Sequence, residues 1–520
     1  MIHPSKAIVA ICFAGLASLT SAQTTPTAEQ STGFNSTFAL TPAQIAAANL
    51  SAAEAASLNN VVRFDRSQLA NGGPYEDDFY TLPPLSNKTT GSLQPGTLLN
   101  TQAFTDLSAF TIPPNTALSR ILYTTRTYNG TVVPASAFIL WPFTPRHVTA
   151  PAGNQRAQSN DDRQRYFTAA KPAGAPVVLW SYGTSGFFGT AAPSCHRALW
   201  YGDAAPFALA LAGYAVVASD YAGLGISEAW GNSNNTKIQH QYLMSRVSAR
   251  DGLYALRAAR AAFGEKLDER FVAMGHSQGG GVAWGVAEVL QEPEGKAEFG
   301  DLAPGYRGTV AGSPTTQVFT GWPSLIAPFV SSGIGSVFPS FKLADWFTPA
   351  GAARVALFRE IEGGISAALQ LFLGDGSAQL LKEGWDETWH VEAYSKLANA
   401  GRRPFRGPML VLQGTEDVYV PYSITNATVA ATCAAHPNSE LEFLVVNGTG
   451  HVPTLDATRQ IWLDWIQDRF EEKPAAAGGK GCKRTELSSL LPVGQYLKVG
   501  NAFAQWAGTP EYSYQVPLGP

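Results

Sequence analysis

The chain has 520 residues, of which 45% are hydrophobic and 15% are charged, and its formal net charge is -4. This composition is typical of a globular protein with a large core, and the length exceeds that of one typical domain. Long runs of like charge are missing from the sequence, so it gives no indication of binding to nucleic acid or to an anionic membrane surface. We therefore expect one large domain with insertions.

The N-terminus carries the features of a secretory signal peptide. Lys6 precedes the apolar run IVAICFAGLASL, and the small residues Thr20, Ser21 and Ala22 follow it. We predict that residues 1–22 are removed and that the mature protein is secreted to the extracellular space. No later stretch reaches about 18 uninterrupted apolar residues, so no transmembrane segment is expected.

A secreted protein can be N-glycosylated at its sequons and can form disulfides between its cysteines. Predicted glycan acceptors are the asparagines of Asn-x-Ser/Thr sequons: Asn35, Asn49, Asn87, Asn129, Asn234, Asn426 and Asn447. Cys12 lies in the predicted signal peptide, which leaves an odd number of cysteines for one disulfide and one thiol. A bridge between Cys433 and Cys482 is favoured because it would attach the C-terminal tail, although other pairings with Cys195 stay open.

The predicted elements alternate between strands and helices after an irregular start. Residues 23–115 are rich in Thr, Ser, Ala, Pro and Asn, and we predict an irregular N-terminal wrap there. An Asn129–Gly130 turn predicts a hairpin between 121–128 and 131–141. Further apolar strands are predicted at 176–181, 214–220, 270–275, 307–312, 408–414 and 441–448, with helices at 250–264 and 458–470. This alternation indicates a mainly parallel sheet with helices on both faces.

One interval is too long to be a simple crossover. About 95 residues separate the strand that ends at Gly312 from the strand that begins at Pro408, so we expect an inserted subdomain at 313–405. The core would then comprise 116–312 and 406–520, with a C-terminal tail. Residues 308–341 carry no charge, which is typical either of ordinary core or of an apolar pocket. For the pocket, the candidate lining residues are Trp322, Phe329 and Phe338.

The stretch FVAMGHSQGGG (271–281) places a serine in a Gly-x-Ser-x-Gly pattern. This five-residue pattern alone is a weak indication of a catalytic serine, and a glycine turn with a purely structural role is the alternative. A short apolar strand precedes them and an apolar helix follows, which is the setting of a nucleophile elbow. Gly275 and Gly279 would be required where any side chain collides with a neighbouring element. Ser277 is therefore the predicted nucleophile.

A serine hydroxyl needs a base, and the base needs an orienting acid. The histidines downstream are His390, His436 and His451. We favour His451 because NGTGHVPT follows the last strand, and sheet enzymes place their chemistry at the carboxyl ends of strands. The segment TEDVYVPY follows the preceding strand and offers two acids, of which we predict Asp417 and not Glu416.

The remaining requirement is a pair of backbone donors for an oxyanion. The N–H of Gln278, after the nucleophile, is the first, and the loop WSYGTSGFFGT offers Gly183 or Thr184 as the second. No cofactor or metal is expected, because DYAGLGISE has only two of the three glycines of a dinucleotide turn and no histidine cluster has zinc spacing.

Several segments together resemble a known family. They are FYTLPP (79–84), ILYTTRTYNGTVVPASAFILWP (121–142), SYGTSG (181–186), YAVVASDYAGLG (214–225), GHSQGG (275–280), QGTEDVYVP (413–421) and the Gly-His pair at 450 and 451. From about residue 75 the chain resembles the secreted lipase A-like lipases of fungi and related bacterial secretory lipases. The resemblance implies an α/β-hydrolase fold with a mainly parallel central sheet, an inserted helical cap and ester hydrolysis, without fixing the acyl length.

These observations predict a secreted serine hydrolase that cleaves carboxylic esters through an acyl-enzyme. The expected partner is an ester or lipid substrate, with transient contact to a lipid interface as a further expectation. The alternatives are a peptidase or amidase on the same fold, an esterase for small non-lipid esters, and an inactive binding protein. Only the uncharged segment of the insertion favours esters over amides.

Overall fold

The computed structural model describes residues 37–84, 92–148, 174–230, 237–320, 323–373, 379–475 and 481–496. Its centre is a ten-stranded sheet with the strand order β1-β2-β3-β5-β4-β6-β7-β8-β9-β10. The strands are β1 Leu98–Gln102, β2 Ala117–Arg126, β3 Val132–Trp141, β4 Ala175–Ser181, β5 Ala215–Ser219, β6 Leu267–His276, β7 Tyr306–Gly312, β8 Met409–Gly414, β9 Leu441–Val446 and β10 Cys482–Leu487.

The sheet is antiparallel at one edge and parallel elsewhere. Strands β1, β2, β3 and β5 pair antiparallel in succession, and every pair from β5 to β10 is parallel. The predicted hairpin is confirmed, because β2 and β3 pair continuously from Ala117↔Trp141 to Arg126↔Val132. The predicted mainly parallel sheet is confirmed as well.

Helices cover both faces of the sheet. They are α1 Pro42–Ala47, α2 Ala52–Ser67, α3 Pro206–Leu211, α4 Ser245–Phe263, α5 Gln278–Val289, α6 Pro293–Glu298, α7 Pro323–Ser331, α8 Leu343–Trp346, α9 Pro349–Glu360, α10 Ile365–Leu373, α11 Trp389–Ala398, α12 Tyr422–Ala435, α13 Pro453–Ala457 and α14 Arg459–Phe470. On β7, a Cβ at Gly308 would meet Trp465 of α14, whereas the neighbouring Thr309 donates to the carbonyl of Ala283 in α5. Adjacent strand residues face opposite sides, so α5 and α14 lie on opposite faces.

The central strands are apolar along their whole length because both faces are covered. Every residue of β4 and of β5 is buried. Helices α7 to α11, between β7 and β8, belong to a second apolar cluster distinct from the core under the sheet. We call these inserted helices the cap. Among the helices of the described residues, none is both long and apolar enough to span a membrane.

The N-terminal segment departs from the prediction of an irregular wrap. Helix α2 begins after Ser51, whose side chain and that of Glu54 cap each other's backbone N–H groups. Its apolar side chains join the cap cluster, and Ser57 donates to Gln370 of α10 at 2.8 Å. The prediction is wrong over α2 because apolar residues at helical spacing outweigh the loop-like composition of the longer interval. Strand β1 was also missed.

The C-terminal residues are attached to helix α12 by a disulfide and to the sheet by strand pairing. Cys433 in α12 and Cys482 in β10 are bonded with their Cα atoms 6.0 Å apart, which confirms the predicted pair. Strand β10 pairs in parallel with β9 over six positions, where the sequence predicted only a tail. Cys195 is a buried free thiol.

The structure describes only part of the predicted processing sites. The signal peptide 1–22 and the sequons at Asn35, Asn87 and Asn234 lie outside the described residues, as does Trp322. Among the remaining sequons, Asn49 and Asn129 are exposed, whereas Asn426 and Asn447 are half-buried and hydrogen-bonded to Arg484 and Ser488. Glycosylation stays a prediction at each of them.

Candidate active site

Ser277 lies in a sharp turn between the end of β6 and the start of α5. Its backbone angles are φ 60° and ψ -122°, a conformation that is costly for a residue with a side chain. The turn is fixed by its neighbours: the Ser277 N–H donates to the Gly312 carbonyl at 2.9 Å, and the Thr315 N–H donates to the Ser277 carbonyl at 3.1 Å. This strand, turn and helix form the predicted elbow geometry.

The glycines around Ser277 are required by close backbone contacts. A Cβ at Gly275 would lie 2.0 Å from the Gly279 carbonyl oxygen, and a Cβ at Gly279 would lie 1.9 Å from the Ser181 carbonyl oxygen. Neither position accepts a side chain without moving backbone. The predicted steric role of both glycines is thus confirmed.

The two polar loops after β8 and β9 bring an acid to a histidine. Asp417 Oδ2 lies 2.7 Å from His451 Nδ1. The carboxylate also accepts the backbone N–H groups of Tyr419 and Val420 at 3.0 and 2.9 Å, and the Gln413 side-chain amide at 3.0 Å. Because Nδ1 of His451 donates to the carboxylate, its Nε2 carries the lone pair that can accept a proton.

The environments of the two candidate acids differ. Burial alone would raise the pKa of Asp417, but the adjacent His451 and the Val420 N–H hold this pKa below its usual value. Asp417 is 5% exposed, whereas the Glu416 side chain is exposed. The carboxylate next to His451 is therefore the one that stays charged inside the protein.

Ser277 and His451 line one cavity of about 550 Å³. The cap contributes its apolar wall through Leu325, Ile326, Phe329, Ile361, Ile365 and Leu369. Helix α2 contributes Val62 and Phe64, and Leu69, two residues after the end of this helix, contributes as well. Phe329 thus lies where the sequence predicted. Phe338 does not, because its ring packs in the cap against Trp389 at a centroid distance of 5.2 Å.

The side chain of Gln278, the first residue of α5, is held by a buried histidine. Its Nε2 lies 3.0 Å from His240 Nε2, and His240 Nδ1 lies 3.2 Å from the Ala222 carbonyl oxygen. Burial lowers the pKa of His240 to about 4, so the ring is neutral near pH 7 and accepts from the glutamine amide. The Gln278 backbone N–H belongs to the first turn of α5, where N–H groups have no intrahelical acceptor.

The loop after β4 supplies the other predicted donors. A Cβ at Gly183 would lie 3.1 Å from the Ser277 Cβ, so this loop runs beside the elbow. A Cβ at Gly183 would also lie 2.1 Å from the Tyr201 hydroxyl, so this hydroxyl packs directly against Gly183, and the Gly183 carbonyl accepts Trp200 Nε1 at 3.2 Å. Thr184 lines the cavity and Gly183 does not, which favours Thr184 as the second donor to an oxyanion.

Some residues of the site were not predicted from the sequence. The α2 wall was missed, although the capping pair Ser51 and Glu54 and the spacing of Leu58, Val61 and Val62 were signals that could have identified the helix. His240 has no local motif, so no sequence signal could have identified it. Among the described residues, no group of three or more His, Cys, Asp or Glu side chains is placed to hold a metal ion.

This sheet, elbow and histidine–acid pair define an α/β hydrolase. Residues 174–461 match the family model described as "Alpha/beta hydrolase family", and the chain belongs to this family. The predicted fold is confirmed by that match.

Individual relatives agree with the predicted resemblance to fungal lipases. The chain is 28% identical to Lipase 10 of Candida albicans over 299 residues, which are 53% of this chain and 59% of that protein. It therefore spans less than two thirds of the length of that relative.

Two solved structures share the fold. Lipase A of Candida antarctica, in its closed state, has a TM-score of 0.56 at 15% identity, with 79% of this chain and 90% of that chain covered. The rice cell wall degrading esterase LipA of Xanthomonas oryzae has a TM-score of 0.53 at 18% identity, with 72% and 98% covered.

Proposed function

We propose that the protein is a secreted serine hydrolase that cleaves carboxylic esters with apolar acyl groups. The observation that carries the proposal is the geometry around one cavity: Ser277 sits there in a strained elbow, together with a histidine whose Nδ1 is bound to Asp417. Relatives named lipase and esterase support the same chemistry.

The proposed reaction proceeds through an acyl-enzyme. His451 Nε2 takes the Ser277 hydroxyl proton while Oγ attacks the ester carbonyl, and Asp417 stabilises the resulting imidazolium. The backbone N–H groups of Gln278 and Thr184 donate to the oxyanion. Collapse of this tetrahedral intermediate releases the alcohol, which takes the proton from His451, and leaves the acyl group on Ser277. A water molecule then gives a proton to His451 and attacks the acyl group. The second intermediate collapses, the carboxylic acid leaves, and Ser277 recovers its proton from His451.

The apolar cap wall favours an ester of an apolar acid as the substrate. We expect the purified protein to hydrolyse acyl esters faster than amides that carry the same acyl group and a leaving group of matched size. The measurement is kcat/KM for each pair. Faster cleavage of the amides would contradict the proposal and favour the peptidase or amidase alternative.

The cavity should also set a preference for acyl length. Ile326→Trp would fill part of the cavity with a larger side chain. If three methylenes of the acyl chain lose their contact with the cavity at about 0.8 kcal/mol each, kcat/KM for a long-chain ester should fall roughly 50-fold. Acetate ester hydrolysis should change less than about twofold. Leu343→Trp, which adds the same ring to a half-buried cap position outside the cavity lining, is the control. An equal decline for both esters in Ile326→Trp would show that the wall does not bind the acyl chain.

Secretion belongs to the same proposal. The predicted signal peptide supports it, and the Cys433–Cys482 disulfide is of a kind that persists in oxidising compartments. Mass spectrometry of the protein recovered from culture medium tests both the cleavage after Ala22 and the glycan acceptors. Transient contact with a lipid interface remains part of the proposal, since the cap exposes Trp389 to solvent.

A further inference from the structure

The residue before the proposed nucleophile makes contacts that the reaction above does not use. His276 ends β6 and is 0% exposed. Its Nδ1 lies 2.7 Å from the Tyr201 hydroxyl, and its Nε2 lies 3.0 Å from the backbone carbonyl oxygen of His451. Its ring also packs against the His451 ring at a centroid distance of 4.5 Å. A side chain that cannot reach substrate thus contacts the proposed base directly.

The direction of each hydrogen bond follows from the chemistry of its partners. A carbonyl oxygen only accepts, so the proton of His276 must be on Nε2. Burial and the nearby His451 lower the pKa of His276 to about 3, so the ring carries a single proton near pH 7 and Nδ1 is an acceptor. Tyr201 therefore donates its hydroxyl proton to Nδ1. The Tyr201 oxygen also packs directly against Gly183, where an added Cβ would lie only 2.1 Å from it.

We propose that Tyr201 and His276 are positioning residues that join the oxyanion loop at Gly183 to the backbone of His451. We call this pair the Tyr201–His276 bridge. It transfers no proton in the reaction. It fixes the distance between the loop that presents Thr184 and the imidazole that deprotonates Ser277, and it rests on the function proposed above.

His451 needs such an anchor because of its position in the chain. It lies in the loop between β9 and α13 and follows Gly448 and Gly450 within three residues, of which Gly448 has a positive φ of 76°. Glycines leave a loop many accessible conformations. The bond to Asp417 fixes the ring at Nδ1, and the bond from His276 fixes the main chain of the same residue. Two fixed points restrict the orientation of Nε2 towards the serine, and a displacement of about 1 Å there is costly for catalysis.

The first test is Tyr201→Phe, which removes only the bridging hydroxyl and keeps the ring packed against Trp180. We expect kcat for an activated ester to fall roughly tenfold with KM unchanged within about twofold, since the bridge acts on the chemical step. Tyr201 also lines the cavity, so a change confined to KM would indicate direct substrate contact and would overturn the proposal.

A matched control comes from the other end of the sheet. The hydroxyl of Tyr306, in β7, is buried and contacts Thr309 at 2.7 Å and the Arg406 carbonyl at 3.0 Å. Tyr306→Phe therefore removes a buried, hydrogen-bonded hydroxyl, as Tyr201→Phe does, but away from the site. We expect an unchanged kcat in this control and a similar loss of thermal stability in both variants. Equal kcat values in the two variants would contradict the bridge.

Substitutions of His276 separate positioning from packing. In His276→Gln the amide can still donate to the His451 carbonyl, whereas His276→Leu has no donor. We expect the glutamine variant to retain several-fold more kcat than the leucine variant. Adding Tyr201→Phe to His276→Leu should cause no further loss, because both changes interrupt one connection. Additive losses, or equal kcat in the glutamine and leucine variants, would overturn the proposal. If His276→Leu fails to fold, the comparison of kcat between Tyr201→Phe and Tyr306→Phe tests the proposal by itself.

Labelling by a fluorophosphonate distinguishes this proposal from the proposed function. In that reaction the Ser277 oxygen forms a bond to phosphorus, fluoride leaves and the proton passes to His451, so the rate reports activation of the serine without an ester substrate. Wild-type protein should be labelled at Ser277, and Tyr201→Phe should be labelled roughly tenfold more slowly. No labelling of wild type would overturn both proposals. Equal rates in wild type and Tyr201→Phe would overturn the bridge alone.

Discussion

Replacing Ser277 by alanine is expected to lower kcat for an activated ester by about 10⁴- to 10⁶-fold. Losses of this size follow removal of the nucleophile from a serine–histidine–acid site, because only binding and oxyanion stabilisation are left. The fold should persist, since the fixed backbone of the elbow depends on main-chain bonds to Gly312 and Thr315 and not on the hydroxyl. The measurement is kcat with purified protein, accompanied by circular dichroism.

A nearby serine offers the control for this substitution. Ser313 is 0% exposed, has a positive φ of 40° and carries an Oγ without a hydrogen-bond partner in the described part of the chain. Ser313→Ala is the same change at a neighbouring strained turn outside the cavity lining, and kcat should stay within about twofold of wild type. Most of the activity surviving in Ser277→Ala would show that the nucleophile is a different residue.

Asp417→Asn should lower kcat by roughly 10⁴-fold, whereas Glu416→Gln should change it less than about twofold. The asparagine amide can present an N–H to His451 Nδ1, which favours the imidazole tautomer that cannot take the serine proton. Its neutral side chain also cannot stabilise the imidazolium. Glu416 is exposed, so its charge is screened by solvent. Comparable, mild effects of the two substitutions would mean that the orienting acid is elsewhere.

Asp417→Asn should also have a measurable effect on the pH dependence of stability. The pKa of Asp417 in the folded protein lies below its usual value of 3.8. A depressed carboxyl pKa contributes stability that is present above 3.8 and is lost as the pH falls through the lowered folded value. The stability that Asp417 gives wild type relative to Asp417→Asn should therefore decrease as the pH falls below about 4. A difference in melting temperature that stays constant in that acid range would contradict the assigned direction of the shift.

The elements around Ser277 were predictable because each has a local signal. The elbow needs glycines beside the serine, and β6 and α5 carry apolar patterns of the right kind. The loops with Asp417 and His451 follow strongly apolar strands, and parallel strands end at one edge of the sheet. The proximity of Asp417 and His451 could therefore be predicted from the order of the strands and from the position of each residue after a strand. Their catalytic roles stay predictions.

Other parts of the fold depend on partners that are distant in the sequence. Strand β10 has the sequence CKRTEL with almost every side chain exposed, so it has no hydrophobic pattern and forms by pairing with β9. The contact between Tyr201 and His276 joins a loop to the end of β6, 75 residues further along the chain. The choice of Phe338 as a pocket residue failed for a similar reason, because composition shows that a segment is apolar but not which of its side chains face a cavity.

The proposed catalytic residues and part of the proposed substrate-binding wall belong to different parts of the fold, because α2 contributes to the cavity wall. Val62, Phe64 and Leu69 come from a segment that precedes every strand of the sheet, whereas Ser277, Asp417 and His451 all follow strands of its parallel part. Changes in this N-terminal helix can therefore alter the shape of the cavity while the elbow and the histidine–acid pair stay the same, and directed evolution of selectivity can begin there.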